Sequence, residues 1–430
     1  MKSSRKAKRQ KEKGKSVSFF TFAFFLFNFS FSLMGSTVSA QDLTAEARRM
    51  MERADVKRAF DHVDGQKDRI LAEWVALTEI NAPSGKEHRR AEAVRRLLES
   101  CKLDKVSYDS KGNLIAIRRG ADGSKPVVFD AHLDTVFQEG LKIKAEIHDG
   151  KIFAPGVGDD TRNVEALLAS IRALDEAGIK TKADLIFVFT VEEETSFGGV
   201  KHFIAENKDL IGQYVALDGG YEGLNYGGIG INWYKHHFIS AGGHTTSKAP
   251  PYSATIPLAR AIARIYSLEL PKDPVVHLNI GMLGGADVVN AKAADAWFTV
   301  DLRSTDQKLI DEFELRIAQI LREEADRVGM QVKTELPEEK LPAAQIPGSR
   351  ESFTVRMAEA VHRAIGFENV PVGNAASNNA NIALLAGLPA ISTGCAPCGG
   401  DHSLGEWCEI DPFYRGIKKL VLLEVALTEK

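Results

Sequence analysis

The chain has 430 residues with a formal net charge of -3, of which 44% are hydrophobic and 26% charged. That length admits two domains with a substantial core, and the composition is globular rather than disordered or fibrous. A slightly acidic chain is a poor candidate for binding nucleic acid.

Lys2, Arg5, Lys6, Lys8, Arg9, Lys11, Lys13 and Lys15 make a basic start, followed by an uncharged Phe-rich stretch from Val17 to Met34. Val38-Ser39-Ala40 then places small residues where a signal peptidase reads. The expectation is an export signal over residues 1–40 and a periplasmic or secreted protein, with a retained membrane anchor as the alternative. Removing that segment takes away basic residues and only Glu12 among the acids, so the remainder is more acidic. Four cysteines, Cys101, Cys395, Cys398 and Cys408, are too few for a disulfide scaffold. In an exported chain the spacing Cys395-Ala-Pro-Cys398 reads as a local disulfide.

Residues 43–80 carry helical spacing, and Ser84-Gly85-Lys86-Glu87 has capping-box form ahead of a helix through Leu98. Strands are expected at Lys105–Tyr108 and Leu114–Arg118, with a turn at 110–113 between them. A helix is expected from Arg162 to Ala177, ended by Gly178. Strand and helix alternate to about Tyr226, the signature of an α/β sheet. From Gly230 the order is β-α-β-β-α-β, a ferredoxin-like unit inserted into the larger domain. Its strands fall at 231–240, 275–282, 297–303 and 331–335, and its helices at 255–268 and 307–328. The expected division is 41–229 and 343–430 for a catalytic domain, and 230–342 for an inserted lid or dimerisation domain. Pro337 to Gly348 is the return linker, and a helix at 352–365 follows it.

Four apolar runs end in metal-ligand residue types. The run from Pro126 delivers His132 and Asp134, and that from Leu185 delivers Glu192, Glu193 and Glu194. The run from Tyr214 delivers Asp218, and that from Leu388 leads to Asp401 and His402. Buried parallel strands read as such runs, and ligands gather beyond their carboxyl ends. With Asp159 and Asp160 the set suits a polynuclear site for zinc, with cobalt or manganese also acceptable. Hydrolysis of an amide needs an activated water, a polarised carbonyl and a proton donor, and two metals plus a glutamate supply all three.

In His132-Leu-Asp134, Gly158-Asp159-Asp160, the triple glutamate, Asp218-Gly-Gly and Asp401-His402-Ser403, the chain resembles a known family. It is the two-zinc exopeptidase family of peptidase T, bacterial glutamate carboxypeptidase and the aminoacylases. The resemblance extends over residues 65–430 and implies a mixed, largely parallel sheet sandwiched by helices, with the inserted lid. It implies that His132 and Asp218 hold one ion, that His402 and a glutamate hold the other, and that Asp159 bridges them. Asp134 would orient His132, and a cis peptide would follow Asp159. In the favoured register Glu193 is the general base and Glu194 the ligand; shifting by one makes them Glu192 and Glu193. His244, in Gly242-Gly243-His244, resembles a lid histidine that reaches into a partner subunit's site to stabilise an oxyanion. That role implies a homodimer through the lid. Asn290 and Arg303 resemble residues that grip the substrate carboxylate.

The chain departs from the family pattern at three places. Thr161-Arg162 stands where Lys-Gly is common, Ser377 to Asn381 where an Asp is common, and the Cys395–Cys398 segment where only glycines are usual. Asp218, rather than Glu, favours a di- or tripeptidase or a carboxypeptidase acting on short peptides. An N-acyl-amino-acid amidohydrolase is the alternative, and an inactive exported peptide- or metal-binding protein a more distant one.

Overall fold

The computed structural model describes residues 40–336 and 340–429. The expected export segment lies outside the described residues, apart from Ala40, which opens the helix Ala40–Met51. Residues 337–339 of the expected linker lie outside them too. Among the described residues no helix is long and apolar enough to cross a membrane.

The centre is an eight-stranded mixed sheet. Its order is Lys105–Tyr108, Leu114–Arg118, Leu185–Thr190, Val127–His132, Gln213–Ala216, Ala390–Ser392, Leu224–Asn225 and Val372–Gly373. The four apolar runs are therefore four adjacent strands, parallel to one another. Alternation along them feeds two cores, because successive side chains of a strand point to opposite faces. Val127, Phe129, Phe187 and Val215 pack on one side with the helices Arg162–Ala177 and Ile410–Leu427. Val128, Val188 and Tyr214 pack on the other with Phe203 of Gly198–Asn207 and Ala383 of Ala380–Leu385. Burial on both faces explains why these strands read as continuous apolar runs.

The segment after Gly230 forms its own antiparallel sheet, ordered Val276–Asn279, Asp295–Ser304, Gly230–Ile239 and Gln331–Glu335, with Leu283–Gly284 paired to the second. The helices Thr255–Tyr266 and Gln307–Asp326 cover one face, and Phe238, Phe298, Leu258, Phe313 and Ile317 make a core distinct from the other two. Asp306 caps the second helix by accepting from the Lys308 N–H.

Two local expectations are corrected. Ser84 makes no capping box: the helix begins at His88 and the Ser84 hydroxyl donates to Asp134 Oδ2 at 2.6 Å. The disulfide joins Cys398 to Cys408, and Cys395 is a buried free thiol. The reason is register: Cys398–Gly399 and Trp407–Glu409 pair antiparallel with the two cysteines directly opposite, while Cys395 turns into the core. That hairpin belongs to a further four-stranded sheet with Lys151–Phe153 and Glu146–His148, which sequence periodicity did not announce.

Candidate metal centre and active site

Each strand of the central group delivers its polar residue at the same edge of the sheet. His132 is the last residue of its strand, and its Nε2 lies 2.9 Å from Asp159 Oδ1. His402 Nε2 lies 3.0 Å from the other oxygen, Asp159 Oδ2, and 3.2 Å from Glu194 Oε2. Ligand atoms of Asp159, Glu194 and His402 lie within 4.8 Å of one another, as do those of His132, Glu193 and Glu194 and those of His132, Asp159 and Asp160. Asp159 is thus shared between two imidazoles. The Asp159-Asp160 peptide is cis, as the resemblance implied.

Asp218, just past the strand Gln213–Ala216, shares a cavity of about 660 Å³ with Asp159, Arg162 and Asp401. Glu193, Glu194 and His402 line a second cavity of about 450 Å³ with Phe197, Trp233, Arg303 and Lys340. Arg303 is therefore brought to the centre, its Nε and Nη2 on Asp301 at 2.9 Å each. His244 and Asn290 are not. They sit together at a short two-stranded pair, Gly243–His244 with Ala291–Lys292, beyond the Ile239–Asp295 end of the inserted sheet, where Thr245 N–H donates to Asn290 O, and they line neither cavity.

The triple glutamate divides by environment. Glu192 turns outward to Lys111 Nζ at 2.7 Å and Ser196. Glu193 and Glu194 turn inward, their backbone N–H groups donating to Asp134 Oδ1 and Oδ2 at 3.0 Å each. Asp134 meets His132 Nδ1 mainly through its backbone carbonyl, at 3.1 Å, with the carboxylate at 3.5 Å because it is turned toward those N–H groups. With Nδ1 engaged, Nε2 is the nitrogen left for a metal.

Charges crowd the site. Burial, and then repulsion from Asp159, pushes Glu194 up to about 8 and Asp218 to about 6. Burial likewise lifts Glu193 and Asp160 well above the carboxylate range. Burial also opposes the Asp159 anion, but the hydrogen bonds of His132 and His402 outweigh it and hold that carboxyl low. The Asp159 contact raises His402 to about 9. Glu194 Oε1 is buried without a hydrogen-bond partner. An orphaned carboxylate oxygen, a carboxylate shared by two imidazoles and several mutually repelling acids are what divalent cations would satisfy. The donor set of imidazole and carboxylate fits zinc, cobalt or manganese.

Residues given no individual role from the sequence hold this arrangement. Asp160 Oδ2 accepts from the His132 N–H at 3.0 Å, and Asn163 donates to Asp160 Oδ1. Buried Arg90 donates to Leu133 O and Ile80 O, tying the His132 strand end to the segment before it. Arg162, in one of the departures from the family pattern, donates to Gly219 O beside Asp218. Asn379, in another, donates to Asp130 and Thr190 on two neighbouring strands.

The sequence profile of peptidase family M20/M25/M40 matches residues 128–423, which span every one of the gathered ligand candidates. The chain belongs to this family. Among relatives of this M20 chain, carboxypeptidase G2 of Pseudomonas sp. (strain RS-16) is 23% identical over 188 residues, covering 42% of this chain and 45% of that protein. Acetylornithine deacetylase of Shigella sonnei is 25% identical over 230 residues, covering 47% and 56%. The chain thus spans about half the length of the curated relatives it matches. The fold is similar to that of aminopeptidase PepT from Bacillus cereus, with a TM-score of 0.73 at 20% identity, covering 85% of this chain and 99% of that one.

Proposed function

We propose that this M20 protein is an exported exopeptidase that hydrolyses amide bonds of short peptides, as a di- or tripeptidase or a carboxypeptidase, with two divalent ions. The observation that carries the reading is Asp159 lying between His132 and His402, with Glu193 buried beside them. His132 and Asp218 would hold one ion, His402 and Glu194 the other, and Asp159 both. Such a pair lowers the pKa of a bound water and polarises a carbonyl. Glu193 takes a proton from the attacking water and returns it to the leaving amine, a task that suits a carboxyl raised by burial. Asp134 keeps Glu193 and Glu194 facing inward. Arg303 receives the substrate carboxylate in the cavity lined by Trp233 and Phe197.

His244 and Asn290, lying beyond the Ile239–Asp295 end of the inserted sheet, would serve the site of a second copy in a homodimer. The Cys398–Cys408 disulfide supports export, because such bonds persist in oxidising compartments. Deacylation of N-acyl amino acids is the second reading, favoured by the similarity to acetylornithine deacetylase. The deciding experiment is Glu193→Gln assayed on matched panels of peptides and acylated amino acids. The variant should keep its bound metal and lose turnover by about 10²–10⁴-fold. Wild-type release of amino acids from acylated substrates alone would overturn the peptidase reading.

A further inference from the structure

We propose that Glu406 is the positioning residue that presents Asp159 to both histidines, and that one disulfide-closed loop carries Glu406 and His402 to the centre together. Glu406 is fully buried. Its Oε1 accepts the N–H groups of Gly158 and Asp159, each at 2.7 Å, and its Oε2 accepts that of Gly156 at 2.7 Å. Its backbone carbonyl accepts a fourth bond, from Ala154 N–H at 3.0 Å. The turn that carries Asp159 is therefore wrapped around a single carboxylate from a distant part of the chain. Only a carboxylate serves all three donors, since an amide would set its own N–H groups against one side of the fork.

Gly158 closes the other side of this contact. A Cβ there would lie 2.9 Å from Glu406 Oε1, 3.0 Å from Cys408 Sγ and 3.1 Å from Cys398 Cβ. The Asp159 turn thus rests on Glu406 and on the disulfide at once. The same loop, closed between Cys398 and Cys408, carries His402 in a left-handed backbone conformation with φ 63°. Its two ends of contact are linked: Glu406 fixes the backbone of Asp159, and His402 meets the side chain. Partners of this kind, which touch a ligand rather than a metal, typically govern metal affinity by about 10–100-fold.

The inference rests on the two-metal reading above, and the test separates the two. EDTA-treated wild type, Glu406→Gln and Glu424→Gln are titrated with Zn²⁺ and Co²⁺ by calorimetry, and the visible bands of the Co²⁺ forms are recorded. Glu424 is a matched control, a buried glutamate whose hydrogen bond goes to Ser170 and not to the Asp159 turn. E406Q should fold by circular dichroism, bind at least one ion about 10–100-fold more weakly and show altered Co²⁺ bands. E424Q should match wild type. Wild-type affinity and spectrum in E406Q would overturn the proposal while leaving the metal reading intact. Absence of binding by wild type would instead remove the metal reading itself. If E406Q does not fold, Glu406→Asp, which keeps the charge and shortens the reach, is read the same way. Failure of both to fold would assign Glu406 to the fold and end the proposal.

Discussion

Asp134 accepts the backbone N–H of Glu193 at 3.0 Å, and of Glu194 at the same distance, while Ser84 donates to it at 2.6 Å. One buried carboxylate thus fixes the turn on which the proposed base and a proposed ligand sit. Asp134→Ala leaves those donors without an acceptor. Each buried orphan costs about 1–3 kcal/mol, so a clear drop in urea midpoint is expected. Metal affinity should fall by about 10–100-fold as Glu194 and His132 lose their common support. A midpoint and affinity equal to wild type would contradict this role.

The outward and inward faces of the triple glutamate give a second prediction. Glu192→Gln removes a half-exposed ion pair with Lys111, a contact worth at most about 1 kcal/mol. Its kcat should stay within a few-fold of wild type. Glu193→Gln should lose nearly all turnover with metal content unchanged. Reversed behaviour of the two variants would move the register by one residue.

Removing metal should make stability strongly dependent on pH. In the metal-free protein Glu194 and Asp218 stand at about 8 and about 6, above their ordinary values, and His402 stands at about 9. All three bind more protons folded than unfolded, so their contribution is fully present at low pH and declines as pH rises through these values. Bound cations favour the same carboxylates in ionised form and compete with the protons. The increase in Tm produced by Zn²⁺ over EDTA should therefore grow from pH 5 to pH 8.5. A metal-induced increase that is level over this range would show that the acids do not act as ligands.

Arg303 faces the cavity of Glu193 and His402, and Arg303→Ala removes its charged fork. For peptides with a free terminal carboxylate the loss in kcat/KM should reach about 10–100-fold, the worth of a hydrogen bond to a charged group. Amidated peptides should be nearly indifferent to the change. Equal losses on both substrate series would mean that Arg303 acts on the fold of the inserted sheet.

His132, Glu194, Asp218 and His402 were legible as ligand candidates because buried parallel strands leave a plain mark in sequence and these residues follow their ends. Asp159 follows no such run and stood out only in Gly158-Asp159-Asp160. What escaped depends on long-range contacts without periodicity. Ser84 sits in a local pattern that fits a helix cap, but its hydroxyl is claimed by Asp134. Glu406 has backbone donors as partners 247 and more residues away, and nothing in its neighbourhood signals that. The cysteine pairing followed hairpin register rather than the short spacing Cys395–Cys398. Two cysteines framing a loop with His402 and a glutamate were the available clue.

The strands Gly230–Ile239 and Asp295–Ser304 pair along their whole length, with Ile231 opposite Arg303 at one end and Ile239 opposite Asp295 at the other. Near the Ile231 end the chain is tied to the main body by the bridges Gly228–Ala344 and Ile231–Leu341. Were a ribbon paired in this way to turn on the main body, it would turn as a lever with its fulcrum beside Arg303. Ten residues of strand span ~30 Å, so a rotation of roughly ten degrees would sweep the far end by about 5 Å and barely displace Arg303. Arg303 would thus keep its place in the cavity through such a swing, while His244 and Asn290, at the long arm, would be the residues it displaces most.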